Sequence, residues 1–82
     1  GSNVLAKVSS VKGKSVESIE AKKSLHITTE NNVYLFDGDI LTQASTNASG
    51  EVVGNIFDSK NIILRNISGS FNKTNTISSK DY

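Results

Sequence analysis

β-branched side chains dominate the large aliphatic residues of this sequence. It contains seven valines and eight isoleucines but only five leucines, and it has no proline. β-branched side chains lose rotamer freedom in a helix but pack well on the pleated surface of a sheet. The chain is therefore predicted to be all-β. Its 82 residues are enough for one domain with one hydrophobic core.

Runs that alternate apolar and polar residues divide the chain into about six or seven short strands. Residues 3–11 are predicted to form the first strand, and residues 14–20 fit either a strand, which we expect, or one face of a short helix. Turns are predicted at residues 30–32, at Asp37-Gly38 and at residues 58–60, the last joining two strands as a hairpin. This spacing predicts a small sandwich or a partly open barrel of antiparallel strands.

The two ends of the sequence are predicted to lie outside the folded domain, which would comprise residues 3–71. Gly1-Ser2 is typical of the residues that remain after an affinity tag is removed. Within residues 72–82, only Ile77 and Tyr82 are worth burying. Ordering such a segment costs about 11–22 kcal/mol, whereas those two side chains would return about 5 kcal/mol. A flexible C-terminal linker is therefore expected.

The sequence offers few groups for catalysis or metal binding. It has no cysteine, so neither a disulfide nor a thiolate metal site can form. His26 is the single histidine and is predicted to be a solvent-facing residue of a strand. Asp37, Gly38 and Asp39 look like the start of a calcium loop, but Leu41 stands where the third oxygen ligand belongs. We expect a turn there, and no enzyme activity, cofactor or bound metal.

The charge balance gives no electrostatic footprint for a polyanionic partner. Nine basic and eight acidic side chains are interspersed, for a net charge of +1. Tyr34 and Phe36 lack a basic surround, so we expect them to pack in the core and not to stack on nucleic-acid bases. No apolar run approaches the about 20 residues of a membrane span. The expectation is a monomer without nucleic-acid binding or direct membrane insertion.

Several short segments occur in an order that resembles a known family. They are Val4-Leu5-Ala6-Lys7-Val8, Gly13, Lys22-Lys23-Ser24-Leu25, Gly38-Asp39-Ile40-Leu41-Thr42, Val52-Val53 and Asn61-Ile62-Ile63-Leu64. This order resembles the N-terminal retention modules of giant RTX adhesins that Gram-negative bacteria secrete by the type I route. It is also similar to the related β-domain of FecR-type iron-signalling regulators. The sequence departs from the family pattern at residues 29–32 and 58–60, where other turn-forming residues replace the usual Gly-Asp and Asp-Gly.

The resemblance implies a mechanical function. Such a module folds in the periplasm and plugs a TolC-like outer-membrane pore, which keeps the adhesin at the cell surface. A periplasmic cysteine protease would cut after the module at a di-alanine. Because the sequence contains no Ala-Ala, that site would lie beyond Tyr82. The first alternative is a FecR-like periplasmic protein-binding and signalling module, and the second is a carbohydrate-binding or repeat domain of a surface protein.

The residues expected to matter in such a module are structural. Gly13 and Gly38 would permit turns, and Asp39 would tie down the tight turn next to Gly38. The core is expected to consist of Val8, Leu25, Leu35, Ile40, Val52, Ile62 and Leu64.

Overall fold

A computed structural model describes residues 3–14 and 24–79, and these residues form strands, turns and loops but no helix. The predicted all-β class is confirmed. The six strands are β1 (Asn3–Lys14), β2 (Ser24–Leu35), β3 (Ile40–Gln43), β4 (Ser49–Val52), β5 (Ile56–Ser68) and β6 (Thr76–Ser79).

The strands form one closed barrel in the order β1-β2-β5-β4-β3-β6, and every neighbouring pair is antiparallel. Of the two architectures that the sequence left open, the barrel is the one observed, and it is closed. β6 completes it by pairing with β1 on one side and with β3 on the other. Closure gives every strand a neighbour on both sides, although residues 56–61 of β5 pair on one side only among the described strands.

The strand that closes the barrel lies in the segment that was expected to be a linker. Ile77 of β6 pairs with Ala6 of β1 and with Gln43 of β3, and its side chain is fully buried. The prediction was wrong for residues 72–79 because it weighed only the apolar side chains of the segment itself. Ladder hydrogen bonds on both sides of β6 also offset the entropy of ordering it. Residues 80–82 lie outside the described residues.

Two of the predicted turns are bends inside long strands. β2 continues through residues 30–32 and β5 continues through residues 58–60, and the two segments face each other across a register shift. Asp58 has a left-handed φ of 53°, and the Asn32 side-chain amide donates to Asp58 Oδ1 at 2.8 Å. The turn-forming residues thus bend both strands as bulges and do not end them. Residues 53–55 connect β4 to β5, and the two strands pair with Val52 opposite Leu64.

Gly13 lies within β1 and not in a turn. It pairs with Leu25 of β2, and the strand continues to Lys14, which pairs with Ser24. The prediction of a turn at Gly13 was therefore wrong. Glycine weakens a strand but does not end it where the neighbouring strand continues the ladder. Beyond Lys14, the strand predicted at residues 14–20 lies outside the described residues.

The barrel interior is filled by aliphatic side chains from all six strands. Five of the seven residues expected in the core are fully buried: Val8, Leu35, Val52, Ile62 and Leu64. Leu25 is half-buried and packs against this core. Ile40 does not belong to the core, since it is exposed on the outer face while its neighbour Leu41 takes the inward position. Successive side chains of a strand point to opposite faces, so only one of the two can be buried.

Candidate functional surface

One end of the barrel carries the turn that the sequence singled out. Residues 36–39 connect β2 to β3, and residues 53–55 connect β4 to β5. Asn55 Oδ1 accepts a hydrogen bond from the Asp37 N–H at 3.0 Å, and Asp37 Oδ1 accepts one from the Gly54 N–H at 2.7 Å. These reciprocal side-chain bonds hold the two loops together as one rim.

The ends of the described chain lie at the same end of the barrel. Asn3, at the start of β1, pairs with Ser79, at the end of β6. Ser79 also pairs with Leu41, which directly follows the first residue of β3. Because β3 begins where the 36–39 turn ends, Ser79 lies beside that turn.

Gly38 and Asp39 shape the tight turn. Gly38 has a φ of 90°, and its N–H donates to the Val52 carbonyl at 2.8 Å. The Asp39 carboxylate reaches back three residues, where its Oδ2 accepts a hydrogen bond from the Phe36 N–H at 2.8 Å. The Asp39 N–H also donates to the Phe36 carbonyl at 3.0 Å. The turn is thus closed by both the backbone and a side chain.

A Gly38→Val variant is expected to lower the free energy of unfolding by about 1–3 kcal/mol, because a β-branched residue at this positive φ is strained. A Cβ at this position would also lie 3.8 Å from Glu51 Oε2, so a larger side chain has to share that space. Chemical denaturation measures the change. A Gly38→Asn variant is the matched control. Asparagine tolerates the left-handed backbone conformation, so this variant should lose less unfolding free energy than the valine variant. An unchanged midpoint for the valine variant would show that the turn relaxes.

Three aromatic side chains lie on the outer face of the β2–β5 ribbon, next to this turn. Tyr34, Phe36 and Phe57 are 60%, 54% and 58% exposed, and we call them the aromatic cluster. The rings of Phe36 and Phe57 meet edge to face with their centroids 5.8 Å apart. The expectation that Tyr34 and Phe36 pack in the core was wrong. Leu35, between them, takes the inward position of the strand, and alternation sends both aromatic side chains outward.

A polar cluster joins β4 to β5 beside Gly38. Arg65 donates from Nε to Glu51 Oε1 at 3.1 Å and from Nη2 to Glu51 Oε2 at 3.3 Å. The Asn66 amide donates to Glu51 Oε1 at 2.7 Å. The hydrogen bond from Arg65 and then that from Asn66 hold the pKa of Glu51 below its usual value. The same pairing raises the pKa of Arg65.

Acid is expected to weaken the fold partly through Glu51. Its pKa is lower in the folded state than in the unfolded chain, so the carboxylate stabilises the fold fully above its unfolded pKa of about 4.3. That stability is lost as the pH falls from there through the lower folded-state pKa. Urea denaturation between about pH 7 and pH 3 measures this effect. The free energy of unfolding should fall less on acidification for Glu51→Gln than for the unchanged protein. Parallel pH profiles for the two proteins would contradict this role.

Gln43 was not predicted from the sequence as a site residue, yet its side chain makes four hydrogen bonds. It is only 2% exposed. Its Nε2 donates to the carbonyl oxygens of Asn72 at 2.9 Å and Asn75 at 3.1 Å. Its Oε1 accepts from the Asn72 N–H at 2.8 Å and from the Thr46 hydroxyl at 3.1 Å. A lone glutamine at the start of a small polar loop carries no local signal of such a network.

The single histidine has a polar neighbour on β5. His26 is half-buried on β2, with its Nε2 at 3.1 Å from Asn61 Oδ1. Within residues 3–14 and 24–79, no group of three or more His, Asp or Glu side chains is placed to share a metal ion. No helix in the same part of the chain is long and apolar enough to cross a membrane.

Comparison of the chain with models of known protein families, with characterised proteins and with solved structures found no match.

Proposed function

We propose that this chain is a non-catalytic anchor, which folds in the periplasm and plugs a TolC-like outer-membrane pore. In this role it retains a type I-secreted adhesin at the cell surface. The partners would be that pore and a periplasmic cysteine protease that cuts the adhesin beyond Tyr82. The order of sequence segments around Gly38–Thr42, which resembles RTX adhesin retention modules, motivates the proposal.

The observation that carries the proposal is that the chain, closed by β6, folds into a barrel much wider than a single extended strand. The described residues extend over 36 × 25 × 21 Å, whereas a single extended strand is only about 5 by 10 Å across. A conduit that admits only unfolded chain would stop a body of this size. To enter it, the domain has to unfold first.

The position of β6 also favours resistance to pulling. The strand is hydrogen-bonded to β1 and to β3 along its whole length, and the chain leaves it at Ser79. A pull on the following chain along the strand axis loads both ladders together. Gln43 in addition ties residues 72 and 75, just before β6, to the barrel. Forced unfolding depends on the unfolding rate, which such contacts slow.

A retention assay tests the proposal. The chain is fused to the N-terminus of a passenger that carries a type I secretion signal, and the passenger is then quantified on cells and in the medium. The unchanged module and the surface variant Ile63→Asp should hold the passenger on cells. The core variant Ile62→Asp should release it, because the module no longer folds. Equal release into the medium with all three modules would overturn the anchor.

A FecR-like protein-binding module is the second candidate, and the exposed aromatic cluster favours it. Such a module would act by contacting a partner and would not need to block a pore. Release of the passenger by the unchanged, folded module would make this candidate the main one.

A further inference from the structure

The aromatic cluster leaves an apolar surface uncovered. Aromatic side chains bury about 150–250 Å² each, so the exposed fractions of Tyr34, Phe36 and Phe57 correspond to about 350 Å². The largest apolar patch on a typical monomer is about 300–600 Å² and is often functional. The edge-to-face contact of Phe36 with Phe57 holds two of the three rings in a defined arrangement.

Two exposed aspartates adjoin the aromatic cluster in the sequence, one in the 36–39 turn and one on β5. Asp37 follows Phe36 and Asp58 follows Phe57, and both carboxylates are exposed. In each of them Oδ1 accepts a hydrogen bond within the protein, from Gly54 and Asn32 respectively. Within the described residues, Oδ2 of each has no hydrogen-bond partner. Lys60 is the nearest cation along β5, while Arg65, close enough to Asp37 to interact electrostatically, is bonded to Glu51.

The geometry of the ribbon disfavours occupation by an added strand. Between Ile56 and Asn61, β5 pairs only with β2 among the described strands, so its other edge is open. That edge carries the bulge at Asp58, where φ is 53°, and the exposed Lys60. Bulges and lysines are the devices by which proteins blunt an edge strand against pairing. A partner is therefore expected to contact the side chains of the face and not the backbone of the edge.

We propose that the aromatic cluster, with Asp37 and Asp58, is a docking surface for a protein partner that presents arginine side chains. The planar guanidinium stacks on an aromatic face and can bond a carboxylate at the same time, which the compact ammonium of lysine does less well. The exposed area is below the about 800 Å² per partner of a standard stable interface, so the contact is weak and depends on salt. This inference does not depend on the proposed function, because it concerns only the folded domain.

The test is a titration of the ¹⁵N-labelled protein with a short arginine-glycine peptide and with its lysine and glutamate counterparts, followed by NMR. Chemical-shift changes are expected at residues 34–37 and 57–58 with the arginine peptide, smaller ones with lysine and none with glutamate. The changes should shrink at high salt. A response that is equal for all three peptides, or absent for arginine, would overturn the proposal.

Variants of the protein show whether the peptide binds at the aromatic cluster or at any exposed apolar side chain. The double variant Phe36→Ser with Phe57→Ser should weaken binding of the arginine peptide at least about tenfold, whereas Val4→Ser, another exposed apolar position, should leave it unchanged. Asp37→Asn with Asp58→Asn keeps the Oδ1 acceptors and should also weaken binding, so the proposal stays testable if the serine variant misfolds. Protection of the residue 56–61 amides from hydrogen exchange would instead show strand addition and contradict side-chain docking.

Discussion

An Ile62→Asp variant is expected to lose cooperative folding altogether, while Ile63→Asp should remain folded. Ile62 is fully buried and pairs in register with Ile27, which is also fully buried. Removing a buried isoleucine costs about 2–5 kcal/mol, and burying an unpartnered carboxylate adds several more. At about 0.05–0.15 kcal/mol per residue, a domain of this size has only about 4–12 kcal/mol to lose.

Ile63 is the matched control because it differs from Ile62 mainly in the direction of its side chain. It is adjacent in β5 but lies on the outer face, where it is 39% exposed. An aspartate there keeps its hydration, and the expected cost is below about 1 kcal/mol. Circular dichroism through thermal and urea denaturation measures both variants. Similar midpoints for the two would mean that the barrel interior is not the packed core described above.

A Gln43→Leu variant is expected to lose about 3 kcal/mol or more of unfolding free energy. Each hydrogen bond contributes about 0.5–1.5 kcal/mol, and buried groups left without partners cost more. Four such bonds end on Gln43. Because two of its acceptors are the carbonyls of Asn72 and Asn75, the damage should concentrate in the segment that leads to β6. Hydrogen exchange of the residue 76–79 amides should therefore accelerate more than exchange in β2 or β5.

Two further variants test the Gln43 network. In Gln43→Glu a carboxylate would face two carbonyl oxygens, so the folded state favours the protonated form and the folded-state pKa is raised. This variant should be destabilised at neutral pH and should recover as the pH falls through that raised value. Thr42→Leu is the control, since Thr42 is the exposed neighbour on the outer face of β3 and should change little. If the stability of the Gln43→Glu variant did not depend on pH, that result would contradict the buried network.

The functional surface was only partly predictable. The Asp37-Gly38 dipeptide identified the tight turn, because glycine and aspartate have local backbone preferences that act wherever they occur. The aromatic cluster was missed, since the short apolar run Val33–Phe36 predicts a strand that is buried on both faces or nearly so. In a barrel with a single core only one face is inside, and Leu35 occupies it. The outward position of Tyr34 and Phe36 follows from that non-local fact.

The misassigned turns and linker have a common physical cause. The residues at 30–32 and 58–60 do bend the backbone, yet whether a bend ends a strand or becomes a bulge depends on the strand opposite. Residues 72–79 have too few apolar side chains to order themselves, and they are ordered because β1 and β3 offer them open edges. Both outcomes are decided by partners distant in sequence.

By itself the sequence determined the all-β class, five fully buried core positions and the turn at Gly38, because side-chain shape and backbone preference act locally. Only the tertiary structure decided that the barrel closes, that β6 belongs to it, that Gln43 is buried and that three aromatic side chains face solvent. The physical reason is that strand pairing joins segments far apart in the chain. The pairing partner of each strand, and the face that it buries, are settled only when the whole barrel forms.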